Sequence, residues 1–146
     1  MSDAVLVITK VFNASVEDVF DAWIDPEQIA AWYGPEGFTN DVHTFEVKEG
    51  GTYRLTMNAP DGKKHPLKGQ FITINRPSKL VFTWQWEKGM GEADDGRETT
   101  VTVEFTPVGD TTEMTMTHAG FVSEKSKQMH NQGWSSSFNK LEKILV

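Results

Sequence analysis

The sequence contains no cysteine. That excludes disulfides, a thiolate nucleophile and cysteine-ligated zinc, and it fits a reducing cytoplasm. Positive charge is scarce: 14 Lys and Arg stand against 21 Asp and Glu, a formal net charge of −7. Such a chain repels a phosphate backbone, and no Lys/Arg cluster offsets the repulsion, so neither nucleic acid nor an anionic membrane is expected as a partner. Long apolar runs are missing as well. None approaches the ~20 residues of a transmembrane helix, and Met1-Ser2-Asp3-Ala4 lacks the basic start of an export signal. The four histidines, His43, His65, His118 and His130, have neither HxxxH nor HExxH spacing, so no metal and no other cofactor is expected. There is no Gly-x-Ser-x-Gly elbow, and Gly89 and Gly91 lie in an acidic stretch rather than between a strand and a helix, which excludes a phosphate loop there.

Aromatic residues are plentiful: five Trp, nine Phe and two Tyr in 146 residues. In a chain of the length of one domain, rings of that size must go into a core, a pocket wall or an interface. Val5 to Phe12 reads as a strand with apolar residues on both faces. Ser15 caps a helix carrying Val16, Val19, Phe20 and Trp23 on one stripe, and Asp25-Pro26 opens a second with Ile29 and Trp32. From His43 the period changes to two. Strands carrying Phe45, then Tyr53, Leu55 and Met57, then Phe71, then Leu80, Phe82, Trp84 and Trp86 are separated by turn signals at Glu49-Gly50-Gly51, Pro60-Asp61-Gly62 and Arg76-Pro77-Ser78. His65, beside Pro66, reads as loop. Glu87 to Glu98 reads as a glycine-rich acidic loop. Val101, Val103 and Phe105 make one further strand, and Met114, Met116 and His118 another. After Gly120 the helical period returns, with Trp134, Phe138, Leu141 and Leu145 on one long face.

Strands do not alternate with helices, so the sheet is antiparallel and the fold α+β. The face bearing Leu80, Phe82, Trp84, Trp86, Met114 and Met116 needs a cover, and the last helix is the one long apolar element to supply it. Where a twisted sheet curls round such a helix, an elongated apolar pocket can remain. Gly133 thins the helix beside Trp134, at about 1 kcal/mol relative to Ala.

Over nearly its whole length the chain resembles the activator-of-heat-shock-ATPase homologues, of the superfamily that includes START lipid-transfer domains and polyketide cyclases. The resemblance rests on Ile8-Thr9-Lys10-Val11-Phe12-Asn13-Ala14, Val19-Phe20-Asp21-Ala22-Trp23, Asp25-Pro26-Glu27, Trp32-Tyr33-Gly34-Pro35, Gly50-Gly51-Thr52-Tyr53-Arg54, Leu80-Val81-Phe82-Thr83-Trp84, Thr117-His118-Ala119-Gly120-Phe121 and His130-Asn131-Gln132-Gly133-Trp134. It implies one domain spanning 1–146 with a helix-grip fold: a curved antiparallel sheet of about seven strands, two short helices and a long C-terminal helix, with a cavity between sheet and helix.

The leading expectation is a cytoplasmic protein that binds a small apolar or aromatic molecule there without a cofactor. Candidate walls are Phe45, Phe71, Trp84, Trp86, Met114, Met116, His118, His130, Trp134 and Phe138. A second expectation is an interaction protein, pairing with a chaperone or with its own copy through an exposed patch at Trp32, Tyr33 and Phe38. A third is a cyclase- or hydrolase-type enzyme using His118 or His130 as acid or base. Glu46 and Arg54, on neighbouring strands, are expected to form a cross-strand ion pair.

Overall fold

The computed structural model describes residues 4–87 and 96–145, so most of the acidic loop expected at Glu87 to Glu98 lies outside the described residues. The elements follow in the order β1 (Ala4–Phe12), α1 (Val16–Asp21), α2 (Pro26–Trp32), β2 (Thr39–Phe45), β3 (Thr52–Asn58), β4 (Lys64–Asn75), β5 (Lys79–Trp86), β6 (Thr99–Val108), β7 (Thr111–Phe121) and α3 (Glu124–Ile144). All seven strands join one antiparallel sheet in the order β1-β7-β6-β5-β4-β3-β2. β2 to β7 form a meander, and β1 returns to the far side of β7. This is the helix-grip arrangement expected from the sequence.

The capping signals act as their chemistry requires. Ser15 Oγ accepts from the Asp18 amide, Asp25 Oδ1 from the Glu27 amide, and Ser123 Oγ from the Ser126 amide, each satisfying a donor that the first helical turn leaves over. Helix α1 is a single short piece that ends at Asp21. Trp23 therefore leaves the expected stripe, yet it remains buried and meets Trp32 edge-on at 4.7 Å.

One face of the sheet takes nearly all the large side chains. Phe12 on β1, Met114 and Met116 on β7, Val101 and Val103 on β6, Leu80 and Phe82 on β5, and Leu67 on β4 are all buried. Helix α3 lays Trp134, Phe138 and Leu141 onto this face. Where β4 passes between β5 and the Tyr53 ring of β3, it carries Gly69. A Cβ there would collide with the Thr83 carbonyl and the Tyr53 ring, so a residue without one is required.

Strand β1 is apolar on both faces as its alternation indicates: Leu6, Ile8 and Phe12 pack inward with Ala4, and Val5, Val7 and Val11 are exposed. Several local expectations are corrected. His65 lies within β4, not in a loop, because proline in the following position is tolerated where the strand pairing leaves its nitrogen without a bond to make. Glu46 and Arg54 do not pair: Glu46 caps the turn by accepting from Thr52, and Arg54 forms a two-pronged bridge to Glu87 at 2.9 and 3.3 Å. Trp32 and Tyr33 are not a surface patch. Both are buried, Trp32 donating its indole N–H to the Ala22 carbonyl, and Phe38 is half-buried.

Candidate functional site

The first half of α3 does not close down onto the end of β5. Trp84 and Trp86, two residues apart, project to the same side of the sheet, and Trp134 crosses from the helix to within 4.9 Å of the Trp84 ring centre. Trp84 and Trp86 meet edge-on at 5.6 Å. Beyond these rings a cavity of about 310 Å³ opens between α3, the ends of β3 to β5 and the segment from Gly34 to Phe38. Its volume lies at the lower end of the ~300–1,000 Å³ typical of small-molecule sites. Met57, Met129 and Phe38 complete the apolar wall, and among the described residues no Asp, Glu, Lys or Arg lines it. At Gly133 a Cβ would meet nothing within 4 Å, so the missing side chain leaves open space rather than permitting a close approach.

Two histidines hold the tryptophan walls. Trp86 Nε1 donates to His130 Nε2 at 3.0 Å, so the His130 proton sits on Nδ1, which donates to the Ser126 carbonyl at 2.8 Å. Trp134 Nε1 donates to His118 Nδ1 at 3.0 Å, so His118 carries its proton on Nε2 and donates it to Thr99 Oγ1 at 2.7 Å. Thr99 in turn donates to the Trp84 carbonyl at 2.8 Å. Each imidazole thus accepts from an indole at one nitrogen and donates from the other, His118 toward threonine and His130 toward the backbone. Burial, reinforced by the neighbouring His130, keeps the pKa of His118 well below the usual histidine range. With both nitrogens engaged, neither ring is positioned to exchange a proton with a bound molecule. Trp84 Nε1, by contrast, is buried with no hydrogen-bond partner among the described residues.

The mouth of the cavity is a latched segment. Gly34 has φ +86°, a conformation that favours glycine, and it turns the chain after α2 toward α3. There the Lys140 ammonium donates to the carbonyls of Gly34 at 3.1 Å, Pro35 at 3.3 Å and Phe38 at 3.5 Å. The Glu36 amide donates to Ser136 Oγ at 2.9 Å, and Glu36 pairs with Lys143 at 3.7 Å. Partial burial lowers the Lys140 pKa, opposed by the Glu36 carboxylate.

Of the ten candidate wall residues, Trp84, Trp86, His130 and Trp134 line the cavity. Phe45 and Phe71 do not. With Trp23, Tyr33, Tyr53 and Phe82 they enclose a separate gap with no room for a water molecule. Met114, Met116, His118 and Phe138 also lie away from it, fully packed in the core. They share the correct face of sheet or helix, but periodicity marks the face and not the position along it, and the cavity occupies one end only. Sequence reasoning missed Gly34, Pro35, Phe38, Met57, His65, Met129, Gln132 and Ser137 as lining. The strand alternation that placed Met57 inward held a signal for it; nothing local marked the loop residues, whose partners are about 100 positions away.

The family described as Activator of Hsp90 ATPase homolog 1-like protein matches residues 13–146. Among solved structures, protein CV1439 from Chromobacterium violaceum superposes with a TM-score of 0.87 at 22% identity, over 97% of this chain and 96% of that one. The AHSA1 protein from Silicibacter pomeroyi gives 0.83 at 26% identity, with 97% of each chain covered. A protein from Arthrobacter aurescens gives 0.81 at 29% identity, over 97% and 85%. No curated protein matches the sequence.

Proposed function

The chain belongs to the Activator of Hsp90 ATPase homolog 1-like family, and from that premise we propose that it binds a small, uncharged aromatic or apolar molecule in the cavity beneath α3. The observation that carries this reading is a space of about 310 Å³ walled by three tryptophans, two methionines and a phenylalanine, with no charged side chain on its lining among the described residues. A solvent-filled hole of that composition leaves apolar surface wet, and a ligand that covers it gains about 25 cal/mol per Å². The other two readings find less support. The patch proposed for docking a chaperone or second copy has its two largest residues buried, and the two histidines proposed as acid and base are engaged in holding indole rings.

A panel of neutral aromatic compounds, read by thermal shift and tryptophan fluorescence, tests the reading. A ligand at 100 times its Kd stabilises the fold by about 2.7 kcal/mol. Gly133→Leu places an isobutyl group in the open space and adds helix propensity, so the variant should melt no lower than the parent while losing the ligand-dependent shift. A panel with no binder, or binding untouched by Gly133→Leu, would reject the cavity as the site.

A further inference from the structure

Among the described residues, His65 is the half-buried polar side chain of the cavity that no hydrogen bond employs. It sits on β4 opposite Met57 of β3, on the same face as Leu67 and Phe71. Its half-buried ring stacks on Phe38 with centres 6.3 Å apart and planes 25° apart, and meets Trp86 edge-on at 6.3 Å. The Trp84 indole N–H also lacks a partner among the described residues, but it is buried away from the open space; the remaining polar groups of the lining are engaged or peripheral. His130 is bonded at both nitrogens, Ser137 gives its proton to the Gly133 carbonyl at 2.8 Å, and Gln132 is exposed at the rim. Among the described residues, neither nitrogen of His65 has a hydrogen-bond partner.

On the reading of this cavity as a ligand site, we infer that His65 is its specificity-determining residue, and that the ligand class is a flat aromatic alcohol of the phenol type, its ring against the Phe38 and Trp86 side and its hydroxyl on the His65 imidazole. A neutral imidazole presents one N–H donor and one bare nitrogen acceptor. A hydroxyl can serve either, accepting from the first or donating to the second, which a carbonyl or an amine hydrogen alone cannot. Rings on either side of His65 favour a planar body, which makes edge and face contacts at 4.5–7 Å. A carboxylate or ammonium ion has no counter-charge on the lining among the described residues and would there be desolvated unpaired.

The test uses two probes with the same ring system, 2-naphthol and naphthalene, titrated by calorimetry against the full chain and its His65→Phe variant. Phenylalanine keeps the ring stacking and removes the hydrogen bond. A net hydrogen bond of ordinary strength corresponds to an affinity change of about five- to tenfold. The expected result is that loss for 2-naphthol, with the naphthalene Kd changed less than twofold, and partial recovery for 2-naphthol in His65→Gln. An equal loss for both probes, or an unchanged 2-naphthol Kd, would show His65 to be packing only and would overturn the inference while leaving the cavity reading intact. If the parent protein binds neither probe, the cavity reading falls and the inference with it. An unchanged denaturation midpoint in His65→Phe confirms that the comparison is between folded proteins.

Discussion

At His118 a titratable ring has been placed where it cannot be charged at modest energy. Its Nδ1 is occupied by the Trp134 N–H and its Nε2 by Thr99, so protonation would set two donors against each other across Nδ1 besides desolvating the cation. The folded pKa therefore lies well below the unfolded value of about 6.5. Above pH 6.5 the ring is neutral in both states and contributes no pH dependence. As pH falls below that point the unfolded chain takes up a proton that the folded protein refuses, and stability declines until the folded pKa is reached. Urea unfolding between pH 7 and 5 should show a slope approaching about 1.4 kcal/mol per pH unit from this ring. His118→Gln, whose amide oxygen can still accept from Trp134, should flatten it. An unaltered slope in that variant would assign the titration elsewhere. Residue identity alone did not reveal this role. The sequence placed His118 and His130 near indole rings, but which nitrogen faces which donor depends on contacts between segments 16 and 44 positions apart.

Helix α3 was legible almost in full, because a long face repeating at i, i+4 and i+7 has only one physical explanation when an uncovered aromatic strand face lies in the same chain. Of the four residues the spacing marks, Trp134, Phe138 and Leu141 are buried and Leu145, at the C-cap, is half-buried; Ser126, His130 and Ser137 are buried besides. What the spacing could not separate is core from cavity wall along the same stripe. Trp134 borders the cavity; Phe138, one turn on, is wedged among Trp23, Trp32 and Trp134 at 5.5–6.1 Å. Phe138→Ala should accordingly cost about 3–5 kcal/mol, the range for emptying a buried phenylalanine site. At temperatures where the variant is folded it should leave ligand affinity within a few-fold of the parent. A small change in the denaturation midpoint would reject the packing, and a selective loss of binding would move Phe138 to the cavity wall. The latch on the Gly34–Phe38 segment was not legible at all. Lys140 reaches carbonyls more than 100 positions away, and no local pattern distinguishes it from the other lysines of an exposed helix face.

For the molecule as a whole, the α+β order and the antiparallel sheet followed from hydrophobic period, since alternation of two and then of 3.6 can be read without knowing any contact. The size and position of the cavity did not, because a void is a difference between two packed surfaces and no residue encodes it alone. Charge joins the two scales. The protein carries a net −7, and among the described residues its cavity has no cationic side chain on the lining; the nearby Lys140 ammonium is already spread over three carbonyls. An anion approaching the mouth meets an unfavourable overall field, and inside it loses hydration with nothing to replace it. At pH 7, 2-naphthoate, a carboxylate on the same ring system, should therefore bind at least tenfold more weakly than 2-naphthol, as an order-of-magnitude expectation from unpaired charge burial. Added salt screens the outer field but not the desolvation, so raising ionic strength should narrow the gap only slightly. Calorimetric titration at two salt concentrations checks both parts. Equal affinity for the two probes would mean that a cation reaches the bound carboxylate, and loss of that affinity in Lys140→Met would identify it as the lysine released from the Gly34, Pro35 and Phe38 carbonyls.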